Sequence, residues 1–380
     1  MRTPLFALLL FACGTSQETP DASATNDASA DVATESSITD AQPDASATLG
    51  LPRVYVGSTD GSIHVCSFDT KTFALAQIDA TATPGNPSFL AFDAARTFLY
   101  AADETNGTVL AFSIDKTTGK LTSIGKVSSL GSGPAHVALD GKDGFVMVAN
   151  YGGGTIAVYP RGAGGKLADA SATYSFGSTS HSHEILADPS NAFVLVPNLG
   201  LNGVGVFRRD AGALSYLGLT PAGGGARHMT FAPAGNQAWV IDETASTITS
   251  FGFDPQSGSL SQIQQLSSLY GTNPASNTGA EIATTGDGKH VLVSNRGDDS
   301  IVVFDVAQDG KLTAKARVPT NGKTPRHFSI DETGRFLFVG NQTTNTIVTM
   351  TMDAQSGIPS PVGTPLTVTG PEFVALVYLP

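Results

Sequence analysis

The sequence predicts an all-β protein, a seven-bladed β-propeller in which N- and C-terminal segments close one blade together. Three observations predict it. A strand–turn–strand pattern recurs seven times at a period near 47 residues, the composition is that of short strands joined by tight turns, and the chain ends on half a repeat. Of the 380 residues, 41% are hydrophobic and only 14% are charged, while 42 are glycine. That supply of apolar side chains suits a large core, and the glycines suit many turns.

Taken from the N-terminus, residues 1–13 read as a signal peptide. Arg2 precedes an apolar run from Leu5 to Ala12 that is too short to span a bilayer as a helix. The run ends in Leu10, Phe11, Ala12 and Cys13, which resembles the box cleaved before a lipidated cysteine, so Cys13 is the expected lipidation site. Phe11 departs from the small residue usual there, and an ordinary secretory signal is the alternative.

Residues 14–50 consist almost wholly of Ala, Ser, Thr, Asp and Pro, with "DASA" at 21, 27 and 44. Such a segment has too little apolar surface to offset its ordering entropy and is expected to be a disordered tether. Its seven acidic residues account for about half of the net charge of −12. The remaining 51–380 is mildly acidic and has no basic stripe, which argues against a nucleic-acid partner. Cys66 is the only cysteine besides Cys13, so a lipidated Cys13 leaves no intrachain disulfide.

The repeat joins a small residue, an Asn or Asp, a turn, and a β-branched strand ending in an aromatic. Copies include "ADETNGTVLAF" (102–112), "ANYGGGTIAVY" (149–159) and "SNRGDDSIVVF" (294–304). Anchors at Gly57, Asp103, Asn150, Asn198, Asp242, Asn295 and Asn341 are separated by 46, 47, 48, 44, 53 and 46 residues. A second strand with a Gly turn precedes most anchors and another follows, giving three or four strands per blade. The final "GPEFVALVYLP" (370–380) is a half-unit, and pairing it with "RVYVG" near residue 54 would hide both strand edges.

Candidate chemistry follows from the same phase. Fourteen residues before the anchors stand Phe89, His136, His228, Glu281 and His327; His183 is fifteen before Asn198, and Phe373 has the same phase in the last half-unit. Equivalent positions near the start of a blade strand cluster about a propeller's central channel. Arg227 and Arg326 lie beside two of these histidines, a convergent set suited to a small anion, which makes His136, His228, Glu281, Arg326 and His327 candidate substrate-binding residues. One residue past the anchors comes a second ring of Glu104, Tyr151, Leu199, Glu243, Arg296 and Gln342.

Other motifs carry less. "NYGGGT" (150–155) precedes a strand and lacks a GK[ST] ending, so it reads as a blade turn rather than a phosphate loop. His181 and His183 alternate as residues on one strand face would, but no third ligand accompanies them, and neither a metal nor another cofactor is expected. A G-x-S-x-G elbow is absent from the sequence.

The segments "GPAHVALD", "VMVANYGGGTIAVY", "GGGARHMTFAP", "VIDETASTI", "VSNRGDDSIVVF" and "TPRHFSIDETGRFLFVGNQ" together resemble the lactonase family, which includes 6-phosphogluconolactonase-like propellers and carboxymuconate cyclases. The resemblance spans roughly 54–378. It implies hydrolysis of a sugar lactone, with His183, Arg227, Glu243 and Arg296 at the family's proposed catalytic positions. Ala226, Asp242 and Glu281 stand where the family usually has proline, asparagine and aspartate.

The expected partner is a small-molecule lactone or other small anion, bound by an exported monomer that meets a membrane only through its lipid anchor. The competing expectation is a non-catalytic tethered propeller that binds a protein, glycan or cell-wall ligand. Two further expectations concern the site: a pocket of several hundred Å³, and an Arg227→Ala variant that loses function while keeping its stability.

Overall fold

The computed structural model describes residues 49–380. The expectations for the leader, Cys13 and nearly all of the tether fall outside the described residues. Within them the chain forms 28 strands and no helix, arranged as seven four-stranded antiparallel sheets. The second and third strands of each blade are close to continuous apolar runs. "FVMVAN" (145–150), "QAWVID" (237–242) and "FLFVGN" (336–341) are buried along nearly their whole length. Blades pack face to face, so these strands have apolar neighbours on both sides. Seven apolar clusters lie between blades, one of them joining Tyr55, Val65, Leu99 and Phe112. The outermost strands meet a neighbour on one side only and alternate, as in Leu121–Ser128 and Ala213–Pro221.

The anchor residues repeat for a structural reason. The polar anchors are fully buried, and three of the asparagines tie the turn that follows them to the segment leaving the outermost strand of the preceding blade. Asn150 Nδ2 donates to Ser129 O (2.9 Å) and Thr155 Oγ1 (3.0 Å), and Asn295 and Asn341 make the same link to Ser268 O and Thr320 O. Asp242 accepts instead, from Thr247 and Thr249, both at 2.8 Å. A second recurring device is an aspartate after the first strand: Asp93, Asp188 and Asp331 each accept the backbone N–H of the first residue of the next strand at 2.7–2.8 Å.

Closure joins β1 (Leu51–Ser58) to β28 (Pro371–Leu379), with Val56 opposite Val374, Val54 opposite Leu376 and Leu51 opposite Leu379. The last strand therefore occupies the innermost place of the first blade, as the half-repeat predicts. "NYGGGT" is a blade turn.

Candidate functional site

The innermost strands line the channel, and a β-bulge near the start of most of them sets the site. The register shifts between Pro87 and Phe89, Pro134 and His136, Ala226 and His228, and Pro325 and His327. At each of these bulges the strand carries one residue more than its partner, which re-aims the side chains there. Two rings result. The deeper holds Phe89, His136, Glu184, His228, Glu281, His327 and Phe373, and the one nearer the mouth holds Ser88, Ala135, His183, Arg227, Ala280, Arg326 and Glu372.

Glu184, rather than His183, occupies the deeper ring. Ser182 bridges Asn198 as Ala226 pairs with Asp242, so Glu184 is the counterpart of His228 and His183 that of Arg227. The fifteen-residue spacing at His183 reflects this one-residue difference. Nor do His181 and His183 share a strand face. The innermost strand of that blade is reduced to Leu186–Ala187, His181 has φ of 50°, and its ring stacks on Tyr151 at 4.5 Å.

The deeper ring alternates histidine and glutamate over five blades. His136 Nε2 lies 3.6 Å from Glu184 Oε1, His228 Nδ1 lies 3.0 Å from both carboxylate oxygens of Glu281, and His327 Nε2 is 3.4 Å from Glu281 Oε2. Phe89 and Phe373 complete the circle, 4.9 Å apart, with Phe89 against His136 at 4.0 Å and Phe373 against His327 at 4.4 Å. All five polar members are buried. Burial holds His136 and His228 well below the usual imidazole range, aided by the nearby Arg227, and brings His327 down to about 4. Burial likewise raises Glu281, and raises Glu184 well above the carboxylate range.

Above this ring lies a cluster of paired charges. Arg227 Nε and Arg296 Nη2 each approach Glu243 Oε2 at 3.0 Å, and Arg326 Nε faces Glu372 Oε1 at 3.4 Å. Gln342 and Asn86 donate to the two oxygens of Glu372, each at 2.7 Å. Tyr151 stands 5.5 Å from His183, and His183 lies 5.0 Å from His228. Burial depresses His183 well below its ordinary range, with Arg227 next in effect. Glu104 is raised by burial, opposed by Arg326.

His183, Arg227, Glu243 and Arg296 thus meet at one mouth of the channel, with Arg326 beside them, and His136, His228, Glu281 and His327 lie directly beneath. Two expectations fail. The space lined by Arg227, His228, Glu281, Arg326, His327 and Glu372 is about 10 Å³, room for about one water rather than several hundred Å³, because long side chains fill the channel. And Arg227 is not a loosely held mouth residue: it is 2% exposed and its Nη1 donates to Ala280 O at 2.5 Å. A cavity of about 420 Å³ lined by Asp287, His290 and Asp331 shares no residue with the mouth.

Sequence reasoning missed Glu184 and Glu372. Glu372 immediately precedes Phe373, as Arg227 precedes His228, and that shared phase would have found it. Glu184 is fourteen residues before Asn198, the spacing of the other ring members. Among the described residues no group of His, Cys, Asp or Glu is arranged to hold a metal ion.

Seven blades around a channel whose mouth carries paired Arg and Glu side chains define a seven-bladed propeller with a polar, charged channel mouth. The family model for Lactonase, 7-bladed beta-propeller, matches residues 53–376, and the chain belongs to that family. A Bacillus subtilis 6-phosphogluconolactonase is 32% identical over 338 residues, covering 84% of this chain and 97% of that protein. Among solved structures, the Pseudomonas aeruginosa periplasmic gluconolactonase superposes with a TM-score of 0.79 at 26% identity, covering 87% of this chain and all of that one. A Lactobacillus plantarum protein gives 0.80 at 30% identity, with the same coverage.

Proposed function

We propose that the protein hydrolyses a sugar lactone at the charged mouth. The observation that carries this reading is the arrangement of Arg227 and Arg296 on a single oxygen of Glu243, 3.0 Å from each, in the ring next to His183. Lactone hydrolysis requires donors for the carbonyl oxygen as it gains negative charge, and groups that move a proton from water to the departing ring oxygen. A guanidinium has five N–H donors and Glu243 occupies few of them, so each arginine keeps donors for a ligand. Glu243 touches both arginines, and His183, in the ring that holds Arg227, feels its charge; these are the groups at the mouth that could move a proton.

The mouth's charge balance favours a neutral lactone over a phosphorylated one. Arg227 and Arg296 face Glu243, and Arg326 faces Glu372, with Glu104 nearby. A phosphate dianion would need cations in excess of carboxylates, whereas hydroxyl groups suit paired donors and acceptors. The apolar leader and the periplasmic neighbour are consistent with an exported enzyme, lipidated at Cys13 and acting on an extracytoplasmic sugar lactone.

The test is a panel of neutral and phosphorylated lactones assayed with the purified protein, spontaneous hydrolysis subtracted, and Glu243→Gln alongside. Turnover of a neutral lactone that is weakened in the variant, in kcat or in KM, supports the reading. A wild type inactive on the whole panel makes the tethered binding module the better account.

A further inference from the structure

We propose that His228, held by Glu281, is the base that activates water, an assignment that rests on the lactonase reading above and moves proton abstraction one ring deeper than Glu243 or His183.

The hydrogen bonds around Glu281 fix the tautomer of His228. His327 Nδ1 accepts the Val374 backbone N–H at 3.3 Å, so its proton sits on Nε2, the atom 3.4 Å from Glu281. The Ile282 backbone N–H donates to Glu281 Oε1 at 3.0 Å. A carboxylate already approached by two N–H donors is an acceptor for a third, which places the His228 proton on Nδ1, 3.0 Å from both carboxylate oxygens. The other ring nitrogen, Nε2, then carries a lone pair. It is buried and has no partner among the described residues, in a side chain only 2% exposed.

A carboxylate orienting an imidazole whose second nitrogen is free is the geometry of an acid–base dyad. The imidazole borders the space for about one water beneath the mouth, together with Arg227, Arg326 and Ser88. Burial and the neighbouring Arg227, Arg326 and Arg296 disfavour the imidazolium, so His228 enters the cycle unprotonated. At the mouth Glu243 has its Oε2 against both Arg227 and Arg296, and His183, whose Nδ1 is likewise without a partner among the described residues, has no carboxylate paired with it to orient its ring.

The step balances without a cofactor. His228 Nε2 takes one proton from water, and the water oxygen bonds to the lactone carbonyl carbon. The carbonyl π pair moves onto its oxygen, where Arg227 and Arg326 donate. On collapse the bond between that carbon and the ring oxygen breaks, and the ring oxygen takes the proton from Nε2. Lactone and water give one hydroxy acid. Glu243 then serves as a positioning residue that holds Arg227 and Arg296.

The test uses the full chain with D-glucono-1,5-lactone and compares His228→Gln, Glu281→Gln and Glu243→Gln. His228→Gln should lower kcat by about 100-fold or more with KM within about threefold, as expected for a general base. Glu281→Gln should lower kcat by roughly tenfold, and Glu243→Gln should raise KM. A folded His228→Gln retaining more than about a third of the wild-type kcat overturns the dyad and leaves the lactonase reading standing. A wild type with no lactone turnover overturns both. If His228→Gln does not fold, ¹⁵N-histidine NMR of the wild type decides. The imidazole whose shifts respond to Glu281→Gln should be the Nδ1–H tautomer, and an Nε2–H tautomer overturns the proposal.

Discussion

Replacing Arg227 by methionine separates two roles that the structure joins in one side chain. The guanidinium donates to the buried Ala280 carbonyl at 2.5 Å and lies 3.0 Å from Glu243. Without it the carbonyl loses a charged donor, a contact that contributes about 1.5–3 kcal/mol, and Glu243 keeps Arg296 alone. Methionine offsets part of this loss by filling the space of the stem and by removing a cation whose burial is itself unfavourable, the cause that depresses this guanidinium to about 9. The balance is a destabilisation of about 1–3 kcal/mol. For a domain of this size 1 kcal/mol shifts Tm by about 2 °C, so calorimetry should show a fall of about 2–6 °C. Because the proposed mechanism sets the same side chain against the reacting carbonyl, kcat/KM should fall at least about tenfold, or about 1.4 kcal/mol. A variant melting within about 1 °C of wild type would refute the structural role of Arg227, and one with full kcat/KM its chemical role.

Three other outcomes are expected. The folded pKa of His136 lies well below its unfolded value of 6.5, so the unfolded chain binds more protons in that window and stability falls as pH drops below 6.5. In urea melts from pH 7 to pH 5, His136→Phe should therefore gain stability relative to wild type, and a constant difference across that range argues against the assignment. Val374 is fully buried opposite Val56, so Val374→Asp should cost more than about 4 kcal/mol and lower Tm by roughly 8 °C or more; a smaller loss would mean that the closing strand is dispensable. Burial pushes the Cys66 thiol up to about 12, and in a Cys13→Ser chain a thiol reagent should react only after denaturation, whereas fast labelling of the native protein contradicts a buried thiol.

The fold was legible because its repeat has a local physical cause. Asn150, Asn295 and Asn341 recur because each buried amide donates to the carbonyl just past the outermost strand of the preceding blade, and the Asp93, Asp188 and Asp331 turns recur because each holds the first N–H of the following strand. The closing blade was legible from an unpaired half-repeat, since an open propeller would expose two strand edges. The pattern alone gives three or four strands per blade. The outer strands are exposed at most alternate positions and carry little apolar signal, and in the fourth blade the inner strand shrinks to Leu186–Ala187.

The site was less legible because a bulge breaks the period on which phase counting depends. Counting backward from an anchor assumes one residue per step, but across Ala226–His228 the strand advances two residues for one of its partner. The count still groups positions correctly, and fourteen steps back from Asn198 reach Glu184; only the extra step to His183, in a blade without a regular inner strand, leaves the phase. Histidine abundance then decided the assignment of that position, and Glu184 was overlooked. The correction changes the chemistry. With Glu184 in the deeper ring, carboxylates alternate with His136, His228 and His327, and the free ring nitrogen of His228 lies under the arginines. With His183 in the upper ring, it becomes a neighbour of Arg227 and Tyr151 at the mouth. On the proposed mechanism the propeller separates two tasks by depth: paired charges at the mouth for holding a polar ligand, and a buried imidazole–carboxylate ring below for moving a proton.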